Sequence, residues 1–145
     1  MLLTSKKIFY AVEAVLYIAY NAKLHPVAGN HVVAAQHLPP RYLEPMLQKL
    51  VRAGILRSVR GPQGGYVLAR ERRRISLADI CAALGEDTLA PCSTALGKKI
   101  LTPVAAEHIA AWRAQLADVT IATLCDRATA ANIATTNPAS NDFTI

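Results

Sequence analysis

The stretch Ile55 to Leu68, reading ILRSVRGPQGGYVL, constrains the chain more than any other. Gly61-Pro62-Gln63-Gly64-Gly65 places three glycines and a proline in five residues, which neither a helix nor a strand interior tolerates. Apolar-rich runs flank it, so it predicts the turn of a β-hairpin, with glycine supplying positive φ and proline fixing the bend. Arg57 and Arg60 fall on the first strand, Arg60 right against the turn. A tip that lacks bulky side chains and is flanked by arginine has the shape to enter a nucleic-acid groove.

The residues before the hairpin read as a helix from Pro40 to Ala53. Pro40 suits its first turn, where a missing N–H costs little, and Gly54 closes it in a left-handed cap. Leu43, Met46, Leu47, Leu50 and Val51 recur at three and four residues and form its core face. Pro45 lies beyond the first turn and is expected to kink or delay the helix. The opposite face carries Arg41, Gln48, Lys49 and Arg52, with Tyr42 near its start. A shorter helix, His31 to His37, precedes it. Asn30 is its cap, and Val32, Val33 and Ala35 turn inward. Two helices joined by Leu38-Pro39-Pro40, the second polar and basic at its beginning, describe a helix-turn-helix whose second helix reads the major groove. With the basic hairpin directly behind it, the unit becomes a winged helix-turn-helix.

Charge agrees with that layout. The chain carries a net +6, but Arg41 to Arg74 holds nine Lys/Arg against two Asp/Glu, a local +7, and the remainder is −1. Basicity confined to one segment reads as a surface facing a polyanion, or as a solvated charged face. The 145 residues, 52% of them hydrophobic, suffice for one domain with a core. No secretory signal is visible, and Phe9 to Ala22 is too short and too interrupted by Glu13 to span a bilayer. A cytoplasmic protein with no membrane partner is expected, its three cysteines free thiols.

The first helix is expected from Leu3 to Ala22, capped by Thr4 or Ser5. Lys6 and Lys7 in its first turn oppose the helix dipole, which a phosphate contact or plain solubility would each explain. Arg72 to Arg74 touch a nucleic-acid backbone or form a solvated loop. Ser76 to Leu84 reads as a short helix with Ser76 and Asp79 as a capping box and Leu77, Ile80, Cys81 and Leu84 buried. Residues 85–101 show no clean period and read as a loop. A long helix follows from Thr102 to about Val119, in which Ala105, Ile109, Trp112, Leu116 and Val119 alternate spacings of four and three. That is a coiled-coil seam, whose partner is its copy in a second subunit or the first helix of the same chain. Thr120 to Arg127 forms one more short helix.

The expected fold is therefore mostly α with a small β-hairpin. Residues 1–84 form the winged helix-turn-helix domain, 85–101 a sensor-type loop, 102–127 the dimerisation helix region and 128–145 a disordered tail. In a dimer Ile109, Trp112, Leu116 and Val119 would form the interface.

The motifs LTSKKIFYAVEAVLYIA, RYLEPMLQKLVRAGIL, SVRGPQGGYVLA and ISLADICAAL make residues 1 to 125 resemble the bacterial winged helix-turn-helix regulators typified by IscR, NsrR, RirA and CymR. The resemblance implies a homodimeric transcription factor, usually a repressor, on palindromic operator DNA. It places Arg41 and Tyr42 at DNA-contacting positions and Arg60 at the wing arginine of the minor groove. Pro45 replaces a glutamine often found at that place in cluster-binding members, so a base contact is not carried over to position 45. Cluster-binding members hold three cysteines in the loop before the long helix; here that loop has only Cys92, with Lys98, Lys99 and Val104 in the region of the others. An iron–sulfur cluster needs about four ligands, commonly thiolates, so no cofactor and no metal site are expected. Cys92 is a redox-reactive thiol, promoted by the nearby lysines, or a passive loop residue.

The DNA-contacting set expected is Lys6, Arg41, Tyr42, Gln48, Lys49, Arg57, Arg60, Gly61 and Gly64. No catalytic constellation is present. GPQGGY follows a strand but leads into another strand, so it is no dinucleotide fingerprint. The reading is a sequence-specific DNA-binding regulator; the alternative is a DNA-inert winged-helix adaptor that assembles proteins.

Overall fold

The computed structural model describes residues 5–23 and 25–135. Six helices and one antiparallel hairpin follow in the order α1 (Lys6–Asn21), α2 (Gly29–Gln36), α3 (Pro40–Arg52), β1 (Leu56–Val59), β2 (Gly65–Leu68), α4 (Leu77–Ala83), α5 (Thr102–Ala117) and α6 (Ile121–Ala130). A 3-10 turn at Arg72–Arg74 and a π turn at Gly97–Leu101 stand among the described residues as well. No described helix is long and apolar enough to cross a membrane.

Periodicity places the core. In α1, Ile8, Ala11, Val15 and Ile18 recur at three and four residues and are all buried, against α2, α4, α6 and β2. Leu43, Met46, Leu47 and Leu50 of α3 close the other side. The start of α1 expected at Leu3 and the Thr4 cap fall outside the described residues; Ser5 is the N-cap and makes no side-chain capping bond.

The second helix begins earlier than expected. Ala28 is its N-cap, so Asn30 lies inside the first turn, and Ala35 is exposed rather than turned inward. Its end is His37, in the left-handed region at φ 53°. The third helix runs through Pro45 without a break. Pro45 and Arg41 are both exposed, so the carbonyl that loses its helical donor lies on the solvent side of the helix, where the missing bond costs least. Gly54 at φ 72° ends α3 as expected. Its N–H donates to the Val51 carbonyl at 3.0 Å, and the Ile55 N–H reaches back to the Leu50 carbonyl at 3.0 Å, a Schellman closure.

The wing pairs Leu56 with Leu68, Arg57 with Val67, Ser58 with Tyr66 and Val59 with Gly65. In its tip, Gly61 takes φ 119° and its carbonyl accepts from the Gly64 N–H at 3.0 Å. A Cβ on Gly64 would stand 2.3 Å from the Val59 carbonyl oxygen, so only glycine closes this turn. Val27, between α1 and α2, bridges to Tyr66 and ties the wing to the body.

Helix α4 carries the expected capping box. The Asp79 N–H donates to Ser76 Oγ at 3.1 Å, and the Ser76 N–H donates to Asp79 Oδ2 at 2.9 Å. The chain then departs and returns. The Leu77 N–H donates to the Val119 carbonyl at 2.9 Å and the Ile121 N–H to the Ile75 carbonyl at 2.8 Å. Both feet of the excursion that contains α5 are thereby fastened to one place.

Three expectations beyond α4 are corrected. Residues 85–101 are not all loop: the chain turns helical before Gly97 and forms the π turn, in which the Thr102 N–H donates to the Gly97 carbonyl. Of the expected seam, Leu116 is buried in this chain's own core, and Trp112 and Val119 pack against that core, because α5 lies on α4. Only Ile109 among the four expected interface residues is not packed there, and it is half-buried. The helix expected to stop at Arg127 runs to Ala130, so Ala128 to Ala130 are not part of a disordered tail; residues 136–145 fall outside the described residues.

Candidate nucleic-acid interface

Burying Leu43, Met46, Leu47 and Leu50 turns the rest of α3 outward. Arg41, Tyr42, Gln48, Lys49 and Arg52 are exposed along it, as are Arg57 on β1 and Arg60 and Gly61 at the wing tip. Gly64 is half-buried in the turn, and Lys6 is exposed at the start of α1. Among the described residues, the ion pairs are Lys7–Glu86, Arg73–Glu71 and Arg113–Asp87. None of them engages Arg41, Lys49, Arg52, Arg57 or Arg60. Five cations stand ready for an external anion, where a cation paired at home would first have to give up its partner.

Two supports were not visible in the sequence. The Tyr42 ring meets Tyr10 of α1 edge-to-face, centroids 6.3 Å apart and planes at 88°. Tyr10 in turn meets the exposed Phe9 at 6.3 Å and 79°. Only the tertiary fold brings α1 to the start of α3; no local spacing signals it. On the other flank, Glu44 faces the wing. A cavity of about 240 Å³ lies among Gly29, Asn30, Val33, Pro40, Glu44, Leu47 and Tyr66. Burial, and then the Glu44 carboxylate, push the Tyr66 phenol above its ordinary 10.0. A wider groove of about 440 Å³ separates His25 and Pro26 from Val59 to Gln63, leaving the wing tip standing clear of the body.

The arginine triplet is divided. Arg73 pairs with Glu71, and Arg72 reaches the Cys125 thiol, since the 3-10 turn packs on α6.

The cysteines are dispersed. Cys81 on α4 is fully buried, and burial, then the Asp87 and Glu86 carboxylates, push its thiol up to about 11. Cys125 on α6 is buried and also raised, by burial first, with Arg72 working the other way. Cys92 is exposed before α5. Its Sγ rests over Gly97, 1.7 Å from where a Cβ on that residue would stand, and lies 3.8 Å from Thr94 Oγ1. Lys98, Lys99 and Val104 are exposed and donate no thiolate. Among the described residues no three His, Cys, Asp or Glu side chains converge on a metal-sized site. An iron–sulfur cluster does not fit this donor set, which offers one accessible thiol and two sealed in the core.

Comparison with known proteins follows the same lines. A family described as Rrf2, iron-dependent transcriptional regulator, matches residues 4–127. A Haemophilus influenzae protein, provisionally named an HTH-type transcriptional regulator, is 46% identical over 87 residues, 60% of this chain and 57% of its own length. Of solved structures, T. potens IscR superposes with a TM-score of 0.70 at 31% identity, covering 92% of this chain and 93% of that one. CymR of B. subtilis, described as the global cysteine regulator, gives 0.68 at 27% identity, covering 88% and 98%.

Proposed function

The chain belongs to the Rrf2 family of transcriptional regulators rather than to any enzyme class, and from that membership we propose that it represses transcription as a homodimer bound to operator DNA. In this reading α3 enters the major groove, where Arg41, Tyr42, Gln48 and Lys49 meet base edges and phosphates. The wing enters the adjacent minor groove with Arg57 and Arg60, and Gly61 and Gly64 keep its tip thin. Lys6 meets a phosphate at the flank. Residues 1–84 act as the reading head and α5 as the assembly element.

The observation that carries the reading is the row of five cations on α3 and the wing that no carboxylate pairs with among the described residues. For assembly, the support is on the outer side of α5 and its π turn. Leu96, Ile100, Leu101 and Val104 are 75, 59, 66 and 51% exposed, a row of large apolar side chains that a second copy would cover. Two heads so joined would meet half-sites about one helical turn apart. Nothing in this reading runs through iron, since the donor set does not suit a cluster.

The test is a titration of labelled duplex from the protein's own promoter region against a shuffled duplex, at two salt concentrations. Tighter binding to the promoter, weakening steeply with salt, is expected. Equal and salt-insensitive binding to both duplexes would overturn the reading. A promoter–reporter fusion that falls when the protein is expressed distinguishes a repressor from an activator.

A further inference from the structure

Lys7 lies in the first turn of α1, and its side chain serves two places. It donates to Glu86 Oε1 at 2.7 Å. It also lines a pocket of about 100 Å³ with Tyr42, Pro45, Met46 and Lys49, on the outward side of α3. Two lysines and a tyrosine bordering a largely apolar floor suit one tetrahedral anion at the rim, and the pocket is too small for a nucleobase. Glu86 does not float free at this spot. The next residue, Asp87, accepts from Arg113 of α5 at 2.7 Å, with its side chain 15% exposed. Adjacent carboxylates therefore hold a cation of the reading head on one side and a cation of the assembly helix on the other.

We propose that this pocket takes one backbone phosphate of duplex DNA and that Glu86 competes with that phosphate for Lys7. The inference rests on the DNA-binding reading above and deepens it. To fill the pocket, the phosphate displaces Glu86 as the anionic partner of Lys7, so the strength of that ion pair is subtracted from binding. Glu86 is thereby a brake on affinity, and the Asp87–Arg113 pair sets its place from α5.

The experiment follows binding of a labelled duplex by anisotropy across a salt series, for the full chain and for Lys7→Ala, Lys7→Arg, Glu86→Gln and the Lys7→Ala/Glu86→Gln double variant. Lys7→Ala should weaken binding and make the salt slope shallower by about one, while Lys7→Arg keeps the slope. Glu86→Gln should tighten binding about two- to five-fold, the range of a released surface ion pair. In the Lys7→Ala background that gain should largely vanish. An unchanged slope in Lys7→Ala, or an equal gain from Glu86→Gln in both backgrounds, overturns the proposal. Failure of the unmodified chain to bind any duplex removes the DNA-binding reading, and the proposal with it. Thermal unfolding of each variant, expected within a few degrees of the parent, identifies any change that comes from folding.

Discussion

Tyr10 presents itself edge-to-face to Tyr42 across two helices, with centroids 6.3 Å apart and planes at 88°. One ring is half-buried and the other exposed at the start of the helix proposed to read DNA. Such pairs contribute about 0.5–1.5 kcal/mol beyond burial and fix the mutual angle of the rings. Tyr10→Ala should lower operator affinity roughly five-fold by freeing Tyr42, with a modest loss of stability. Tyr10→Phe keeps the ring contact and should keep affinity. The pair of titrations, read beside thermal melts, checks this; loss of affinity in Tyr10→Phe as well would assign the effect to the hydroxyl.

Arg60 is exposed at the wing tip and no described carboxylate pairs with it. Arg60→Ala should cost about 1–3 kcal/mol of operator binding while shifting stability by less than about 0.5 kcal/mol. Anisotropy titration and a melt on the same preparation decide the point.

Ile100 and Leu101 are 59 and 66% exposed on the π turn. A double change to Glu at these positions should convert a dimer to monomer in sedimentation, because two like charges would face their copies across an apolar contact. Leu116→Glu should instead unfold the chain, since Leu116 lies in its own core.

The thiols separate by burial. Cys81 and Cys125 are buried and Cys92 is exposed, so an aromatic disulfide reagent should modify Cys92 alone in the folded protein and all three on unfolding. Cys81 also carries a pH signature. Its folded value of about 11 lies above the ordinary 9.0, so the folded chain keeps a proton that the unfolded chain releases. The resulting stability is complete below pH 9 and is lost as pH rises toward 11. Urea midpoints over that range should fall less steeply in Cys81→Ala than in the parent.

What could be read from the residues was what local chemistry decides. The wing follows from glycine and proline within one turn, and the α4 capping box from Ser76 and Asp79 three residues apart. The cap of α3 at Gly54 is equally local. The face of α5 is different, because a period of three and four states that a side is apolar and not which surface covers it. The spacing of Ile109, Trp112, Leu116 and Val119 predicts a seam against a second copy or the first helix, but Leu116 closes the intrachain core beside α4, and the exposed apolar row begins at Leu96, in a stretch whose residues show no clean period. The Lys7–Glu86 pair, 79 residues apart, has no local trace at all. Nor does the Tyr10 contact, although Tyr42 itself was legible as a candidate.

The paired hydrogen bonds joining Ile75 and Leu77 to Ile121 and Val119 have an architectural consequence. Beyond α4, which packs on α1 and α3, the chain forms a cassette that returns to the body at that clasp. Insertions or deletions within residues 88–96 alter the outer end of that cassette without shifting the register of the head beneath it. The length of this arm can therefore be varied while the surface proposed to read operator DNA stays in place.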